Sequence, residues 1–328
     1  MPANVQTMAY VGNEPWHGLG TRVEQGVHAD AMIEAAGLDW EVAKCPARGS
    51  RPIRKLRDGR DVYPRYEIVR IPKAQSKEEE IVLGVVRDRY EPFQNTAAFG
   101  FFDDIVDRKE AFFETAGALG EGERVWVMAK MPDAIQVVRG DECQKYLLLS
   151  NTHTGQGSVI VKFTAIRVVC QNTLMLAMDD GQPAFRVRHS KLMTERLQEI
   201  SDLIATAKAV YAEAAELFKE LARIQLKRDL LDRYLDSVFP KTAAQKKKGE
   251  RPPKWGHVLR LLDEIPDLQM NGVRGTMWAA YNAITRFEDY RPVEHEGNEA
   301  RLERVWFGAG ADPKLKALQK AADLVKSI

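Results

Sequence analysis

The stretch KYLLLSNTHTGQGSVIVKFTA, residues 145–165, sets two apolar runs either side of NTHTGQG, a segment rich in turn formers. Runs of this length around Asn, Thr and two glycines read as an antiparallel hairpin with a longer loop. Working outward, ERVWVMAKM (123–131) alternates as a strand does, and GALGEG (117–122) before it reads as a turn between strands. VYPRYEIVRI (62–71) and EEIVLGVV (79–86) form a second candidate strand pair, and AFRVRH (184–189) returns to the sheet. TAAFGFFDDIVD (96–107) has helical spacing, with Asn95 or Thr96 as its N-cap. Sequential strands with close connections specify an antiparallel meander, so the expected fold class is α+β.

TAIRVVCQNTLMLA (164–177) is harder to place. Ile166, Val169, Cys170, Thr173 and Leu176 recur at helical spacing, which predicts a helix carrying Arg167, Gln171 and Asn172 on its other faces. From Met193 to Leu221, apolar residues alternate spacings of four and three through Leu197, Ile200, Ile204, Ala207, Tyr211, Ala214 and Phe218. That register predicts one long helix of roughly 45 Å. PKTAAQKKKGERPPK (240–254) reads as a basic linker or exposed loop, followed by helices near 255–265, 275–290 and 312–327. The expected organisation is an α+β domain over residues 1–190 and a mainly helical region over 191–328.

The 328 residues contain 45% hydrophobic and 29% charged side chains, the proportions of a soluble globular protein. No apolar run approaches the length of a membrane-spanning helix, and no signal-peptide pattern opens the chain. Three widely spaced cysteines, Cys45, Cys143 and Cys170, fit reduced thiols better than a disulfide framework, so a cytoplasmic location is expected.

A phosphate-cradling G-x-x-x-x-G-K-[ST] loop, H-E-x-x-H and C-x-x-C are all absent from the sequence. The adjacent acids Asp103–Asp104 and Asp179–Asp180 read as solvated helix ends, and no metal or cofactor is expected. His153, in the hairpin loop, is expected at the surface. Charge is the stronger functional signal. The net charge is only +1, yet residues 44–70 hold nine Lys/Arg against three Asp/Glu, and residues 241–260 hold seven against one. Positive side chains track a phosphate backbone and aromatic faces stack on bases, which is what single-strand binding requires. Arg51, Arg54, Lys55, Arg57, Arg60 and Arg65 are the candidate phosphate contacts, and Tyr63 and Tyr66 the candidate stacking residues. A solvated strand edge with charges that resist aggregation is the bland alternative. A pocket formed by Trp16, His17, His153, Arg167, Gln171 and Asn172 is a second candidate site.

Taken together, WHGLG (16–20), AAGLDWEV (35–42), LGVVRDRYEPFQN (83–95), AGALGEGERVWVMAKMP (116–132), YLLLSNTHTG (146–155) and RVVCQNTL (167–174) resemble the phage/plasmid-like protein family. MWAAYNAITRFEDYR (277–291) and RVWFGAGADPKLKAL (304–318) extend the likeness through most of the chain. This is a domain-of-unknown-function family of prophages and plasmids, and it brings no reaction with it. Its members often carry aspartate after the loop histidine. Thr154 stands there in this chain, which weakens the case for catalysis centred on His153. The layout is also similar to phage single-strand annealing recombinases, in architecture only. The expected function is therefore single-stranded DNA binding with annealing or recombination, and no catalytic residue. A nucleic-acid- or nucleotide-processing enzyme, and an oligomeric interaction protein built on the 193–221 helix, are the alternatives.

Overall fold

The computed structural model describes residues 5–15, 18–48, 54–55, 61–62, 64–73, 79–167, 172–175, 184–193, 195–197, 204–290 and 311–327. The chain is α+β and divides into two compact units. Residues 1–132, 146–162 and 184–204 make the first, and 133–145, 163–183 and 205–328 the second.

In chain order the strands are β1 (Val5–Val11), β2 (Thr21–Val23), β3 (Glu41–Pro46), β4 (Arg54–Lys55), β5 (Asp61–Val62), β6 (Tyr66–Ile71) and β7 (Ile81–Val86). They continue with β8 (Phe112–Leu119), β9 (Arg124–Lys130), β10 (Ile135–Val138), β11 (Asp141–Thr152), β12 (Val159–Arg167), β13 (Asn172–Met175) and β14 (Phe185–Val187). The helices are α1 (Ala29–Ala35), α2 (Asn95–Asp107), α3 (Ile204–Arg223), α4 (Arg228–Val238), α5 (Ala243–Lys248), α6 (Pro253–Glu264), α7 (Met277–Tyr290) and α8 (Ala311–Lys326).

In the first unit the strands run in the order β2-β1-β8-β9-β11-β12-β14. The ladders β1–β8, β8–β9, β9–β11 and β12–β14 are antiparallel, while β2 lies parallel to β1. This is the expected meander, although Gly117–Leu119 of GALGEG complete β8 and only its second half forms the β8–β9 turn. Gly120 and Gly122 sit there at φ 68° and 112°, conformations that favour glycine. A separate antiparallel sheet, β3-β6-β7, contains the second expected strand pair. Ala98, Phe99, Phe102 and Ile105 bury one side of α2, and Phe99 and Phe102 tilt against Phe113 of β8 at ring separations of 5.8 and 6.0 Å.

Asn95 does not cap α2 as expected. Its amide donates to Leu38 O at 2.9 Å, and its Oδ1 faces His153. Gln94 grips the backbone of Val42 from both sides, accepting from its N–H at 3.0 Å and donating to its C=O at 2.8 Å.

In the second unit, residues 164–167 are strand rather than helix. β12 pairs with β13 as a hairpin, from Thr164↔Met175 to Arg167↔Asn172. The β-branched run that begins at Val159 favours extended backbone, and this outweighs the coincidental helical spacing of the downstream apolar residues. Cys170 and Gln171 lie outside the described residues. α7 is buried on every side from Met277 to Thr285, as its sequence MWAAYNAIT dictates. Thr276 caps it, its Oγ1 accepting from Ala279 N–H at 3.2 Å. Asn282 and Thr285 turn inward but bond back to Trp278 O and Asn282 O, each at 2.9 Å. Phe218 of α3 packs on Trp278 at 4.8 Å, and Tyr234 of α4 donates to Ala317 O of α8 at 3.0 Å.

The long helix expected over 193–221 is seen in its second part, as α3. Residues 198–203 lie outside the described residues. Where a basic loop was expected, Ala243–Lys248 form a short helix that buries none of its residues. It is held by a capping box between Thr242 and Gln245 and closed by Gly249 at φ 65°.

Candidate functional site

The basic stretch begins on a ribbon in the first unit. β3 and β6 pair from Glu41↔Ile71 to Pro46↔Tyr66, and Ala47 N–H carries the ladder on to Arg65 O at 3.0 Å. Further along, Arg54 pairs with Val62 and Lys55 with Asp61 as a two-stranded antiparallel sheet of their own. Both pairs fall in one basic stretch of the chain. Between residues 48 and 65 it carries seven Lys/Arg against two Asp. Arg51, Arg57, Arg60 and Tyr63 lie outside the described residues.

Three aromatic or cationic residues at the base of this ribbon have other duties. Arg70 is buried, donating to Gln6 Oε1 at 2.8 Å and Glu121 O at 3.0 Å while its guanidinium covers the Trp40 ring at 4.9 Å. Lys44 donates to Tyr90 O at 2.8 Å and also to Asp88 O, with its ammonium 4.9 Å from the Tyr66 ring centre. One face of Tyr66 is therefore covered. Arg65 is exposed.

His153 is wholly buried, which corrects the expectation of a surface residue. The loop that follows β11 turns inward at its first residue, with His153 N–H bonded to Glu123 O at 2.8 Å. Close packing holds the loop there, because a side chain on Gly84 would strike the backbone of Thr154. The imidazole meets Trp40 edge-on at 5.5 Å. Its Nε2 lies 3.3 Å from Asn95 Oδ1 and 3.3 Å from Asn151 Nδ2. Asn95 Nδ2 is already committed to Leu38 O, so Oδ1 accepts and the ring proton resides on Nε2. Asn151 Nδ2 then donates to Phe93 O at 3.2 Å rather than to the ring.

The second histidine of this cluster, His189, is also buried and stacks on Tyr90 at 4.5 Å. Tyr90 in turn donates its hydroxyl to Thr152 O at 3.2 Å, the residue before His153. His189 Nδ1 faces Glu91 O at 3.2 Å, and a carbonyl can only accept, so this ring carries its proton on Nδ1. Burial drives the His153 pKa down to about 3, with the neighbouring His189 adding to the effect. Burial lowers that of His189 too, against a smaller opposing pull from the Glu91 carbonyl. Both rings are neutral at pH 7. Among the described residues, His153 Nδ1, His189 Nε2, Asn151 Oδ1 and Trp40 Nε1 are buried without a hydrogen-bond partner. Asn151 and His153 belong to the NTH signal that the sequence displays. Nothing local in the sequence ties Asn95 or His189 to it.

Arg167 belongs to the second unit and His153 to the first. Its guanidinium is enclosed by acceptors. Nε and Nη2 grip the Asp141 carboxylate at 2.7 and 2.8 Å, and Nη1 and Nη2 reach Asp267 Oδ2 at 2.7 Å and Asp267 O at 3.1 Å. Trp278 Nε1 completes Asp141 Oδ2 at 2.8 Å. A buried arginine with a bidentate carboxylate on one side and a second acid on the other is a structural junction. It ties β11, β12, the Asp267 turn and α7 together. Asn172 stands opposite Arg167 across the β12–β13 hairpin. Trp16 and His17 lie outside the described residues. Asp103 is exposed, and no cluster of three His, Cys, Asp or Glu able to hold a metal occurs among the described residues.

This mixed sheet-and-helix chain, with its loop histidine turned inward, falls in a known sequence class. It matches the family described as a domain of unknown function, DUF932, over residues 82–306, and it belongs to that family. No curated protein matches it, and neither does any solved structure. Among the described residues, no helix is long and apolar enough to cross a membrane.

Proposed function

We propose that the protein binds nucleic acid, single-stranded DNA foremost, through the basic stretch of residues 47–65. It does so as part of a phage- or plasmid-type element, and without covalent chemistry at that surface. The observation that supports this reading is the antiparallel pairing at Arg54–Val62 and Lys55–Asp61, within the most basic stretch of the first unit. A two-stranded ribbon is narrow enough to lie along a nucleic-acid groove or strand. Arg54, Lys55, Arg57 and Arg60 contact phosphates in this reading, and Arg65 extends the track. Tyr63 is the stacking residue, with Tyr66 offering only its uncovered face. Strand annealing is the activity such binding serves, since neutralising phosphates lowers the repulsion between two strands. The test is binding of a labelled oligonucleotide against salt, for the wild type and for the Arg54, Lys55 and Arg57→Ala triple variant. Binding should fall steeply with salt, and less steeply in the variant.

A further inference from the structure

The second unit carries a basic surface of its own. Residues 241–260 hold seven Lys/Arg against the single acid Glu250. Lys246, Lys247 and Lys248 end α5, a helix too short to persist alone in water and with none of its residues buried against the protein. Its capping box and the left-handed Gly249 still hold it as a helix, where a solvated loop would need neither. Successive residues of a helix diverge by about 100°, so the three lysines fan outward. All three are exposed and, among the described residues, none is held in an ion pair.

α6 continues the array. It buries Trp255 and Val258, while Lys254, His257 and Arg260 follow at intervals of three, as neighbours on the helix surface, with Arg251 just before the helix. Aromatic rings hold much of this charge, and a ring positions a cation without neutralising it. Lys241 and Arg251 lie 4.8 and 5.9 Å from the Trp255 ring, and Lys254 lies 5.1 Å from that of Phe239. Arg251 also meets Asp232 at 3.0 Å, and Glu288 stands 3.8 Å from the Lys254 ammonium. Arg260 donates to His257 Nδ1 at 2.8 Å rather than to a carboxylate. His257 in turn stacks on Phe287 of α7 at 5.7 Å. At the end of α7, Tyr290 is 42% exposed, with the Arg286 guanidinium 5.0 Å from its ring. We propose that this α5–α6 surface binds the phosphates of a nucleic-acid strand, as a site distinct from residues 47–65. Cations interleaved with ring faces suit the phosphates and unstacked bases of a single strand. A lipid surface would call for an apolar face beside the cations, and α5 offers only Ala243 and Ala244. This inference stands on the second unit alone and does not rest on the reading of residues 47–65.

The test uses the full chain and a labelled oligothymidylate, with binding followed by anisotropy across a range of salt. Lys246→Ala, Lys247→Ala, Lys248→Ala and Arg260→Ala are combined, both in the wild type and in the Arg54, Lys55 and Arg57→Ala background. All four residues are exposed, so the melting temperature should be unchanged. In the Arg54, Lys55 and Arg57→Ala background, salt-dependent binding should persist. There the four substitutions should lower affinity by about tenfold or more at about 50 mM salt. They should also flatten log K against log salt by roughly two to three units, at −0.7 per phosphate. Affinity and slope left unchanged by the four substitutions in both backgrounds overturn the inference, whatever becomes of residues 47–65. A slope that Arg54, Lys55 and Arg57→Ala leave intact, but the four substitutions flatten, supports it and defeats the other site. Capture on phosphatidylserine vesicles that the four substitutions abolish, with oligonucleotide affinity unmoved, overturns it in favour of a membrane surface.

Discussion

Replacing Arg167 by Met removes its hydrogen bonds to Asp141 and Asp267 at one stroke. Asp141, fully buried, is left with Trp278 Nε1 as its remaining partner in the junction, while Asp267 is partly solvent-exposed and can rehydrate. The cost is therefore dominated by one stranded interior carboxylate, about 3–5 kcal/mol. Met matches the length of the arginine stem, so lost packing adds little. In a unit of roughly 150–250 residues, 1 kcal/mol moves Tm by about 2–4 °C, so the expected drop is of order 6–20 °C. Calorimetry and urea unfolding followed by tryptophan fluorescence measure it. The double variant Arg167→Met with Asp141→Leu removes the stranded charge along with its partner, and should recover most of the loss. Oligonucleotide binding by Arg167→Met, measured below its Tm, should match wild type. A single variant within about 1 kcal/mol of wild type would refute the junction. Native stability with lost binding would make Arg167 part of a site instead.

Three further outcomes follow from the same geometry. Phe218→Ala empties the space against Trp278 and Tyr281 and should cost about 3–5 kcal/mol in urea unfolding, with a cost under 1 kcal/mol counting against the packing of α3 on α7. His153 has a folded pKa of about 3 against about 6.5 when unfolded, so the unfolded chain binds a proton that the native one refuses as pH falls through that window. Stability from this group is complete above pH 6.5 and should have lost ~2 kcal/mol by pH 5. Burial pushes the Glu114 carboxyl upward, which acts in the opposite direction, so the effect is read as the difference in pH slope between wild type and His153→Gln. Gly84→Val should destabilise the first unit, because a side chain there collides with the Thr154 backbone and would force the histidine loop off β7, visible as a lowered Tm.

The sequence exposed the meander well, because turn formers at 117–122 and 151–157 punctuate apolar runs of strand length. The helices from 253 onward were equally legible, since their apolar residues repeat at helical spacing within clear boundaries. Residues 164–167 and 172–175 pair as strands against the helical spacing for a physical reason. Their apolar residues fit a helical stripe, but Arg167 is fixed by Asp141 and Asp267, 26 and 100 residues away, and no local period reports such partners. The burial of His153 is hidden from the sequence in the same way. A polar loop reads as exposed, and only tertiary contacts from Asn95, Trp40 and Glu123 turn this one inward. Arg70 shows the converse, a cation counted with the basic patch whose acceptors, Gln6 and Glu121, are distant in sequence.

The central claim, that the basic stretch of residues 47–65 binds single-stranded DNA, is tested most directly by the salt dependence of affinity for a short oligonucleotide. If that stretch engages about five phosphates, log K against log salt should slope at roughly −3.5, at −0.7 per phosphate. Replacing Arg54, Lys55 and Arg57 by Ala should flatten that slope by about two units, with the melting temperature unchanged. Absence of binding at about 50 mM salt, or a slope that the triple substitution leaves intact, would contradict the account.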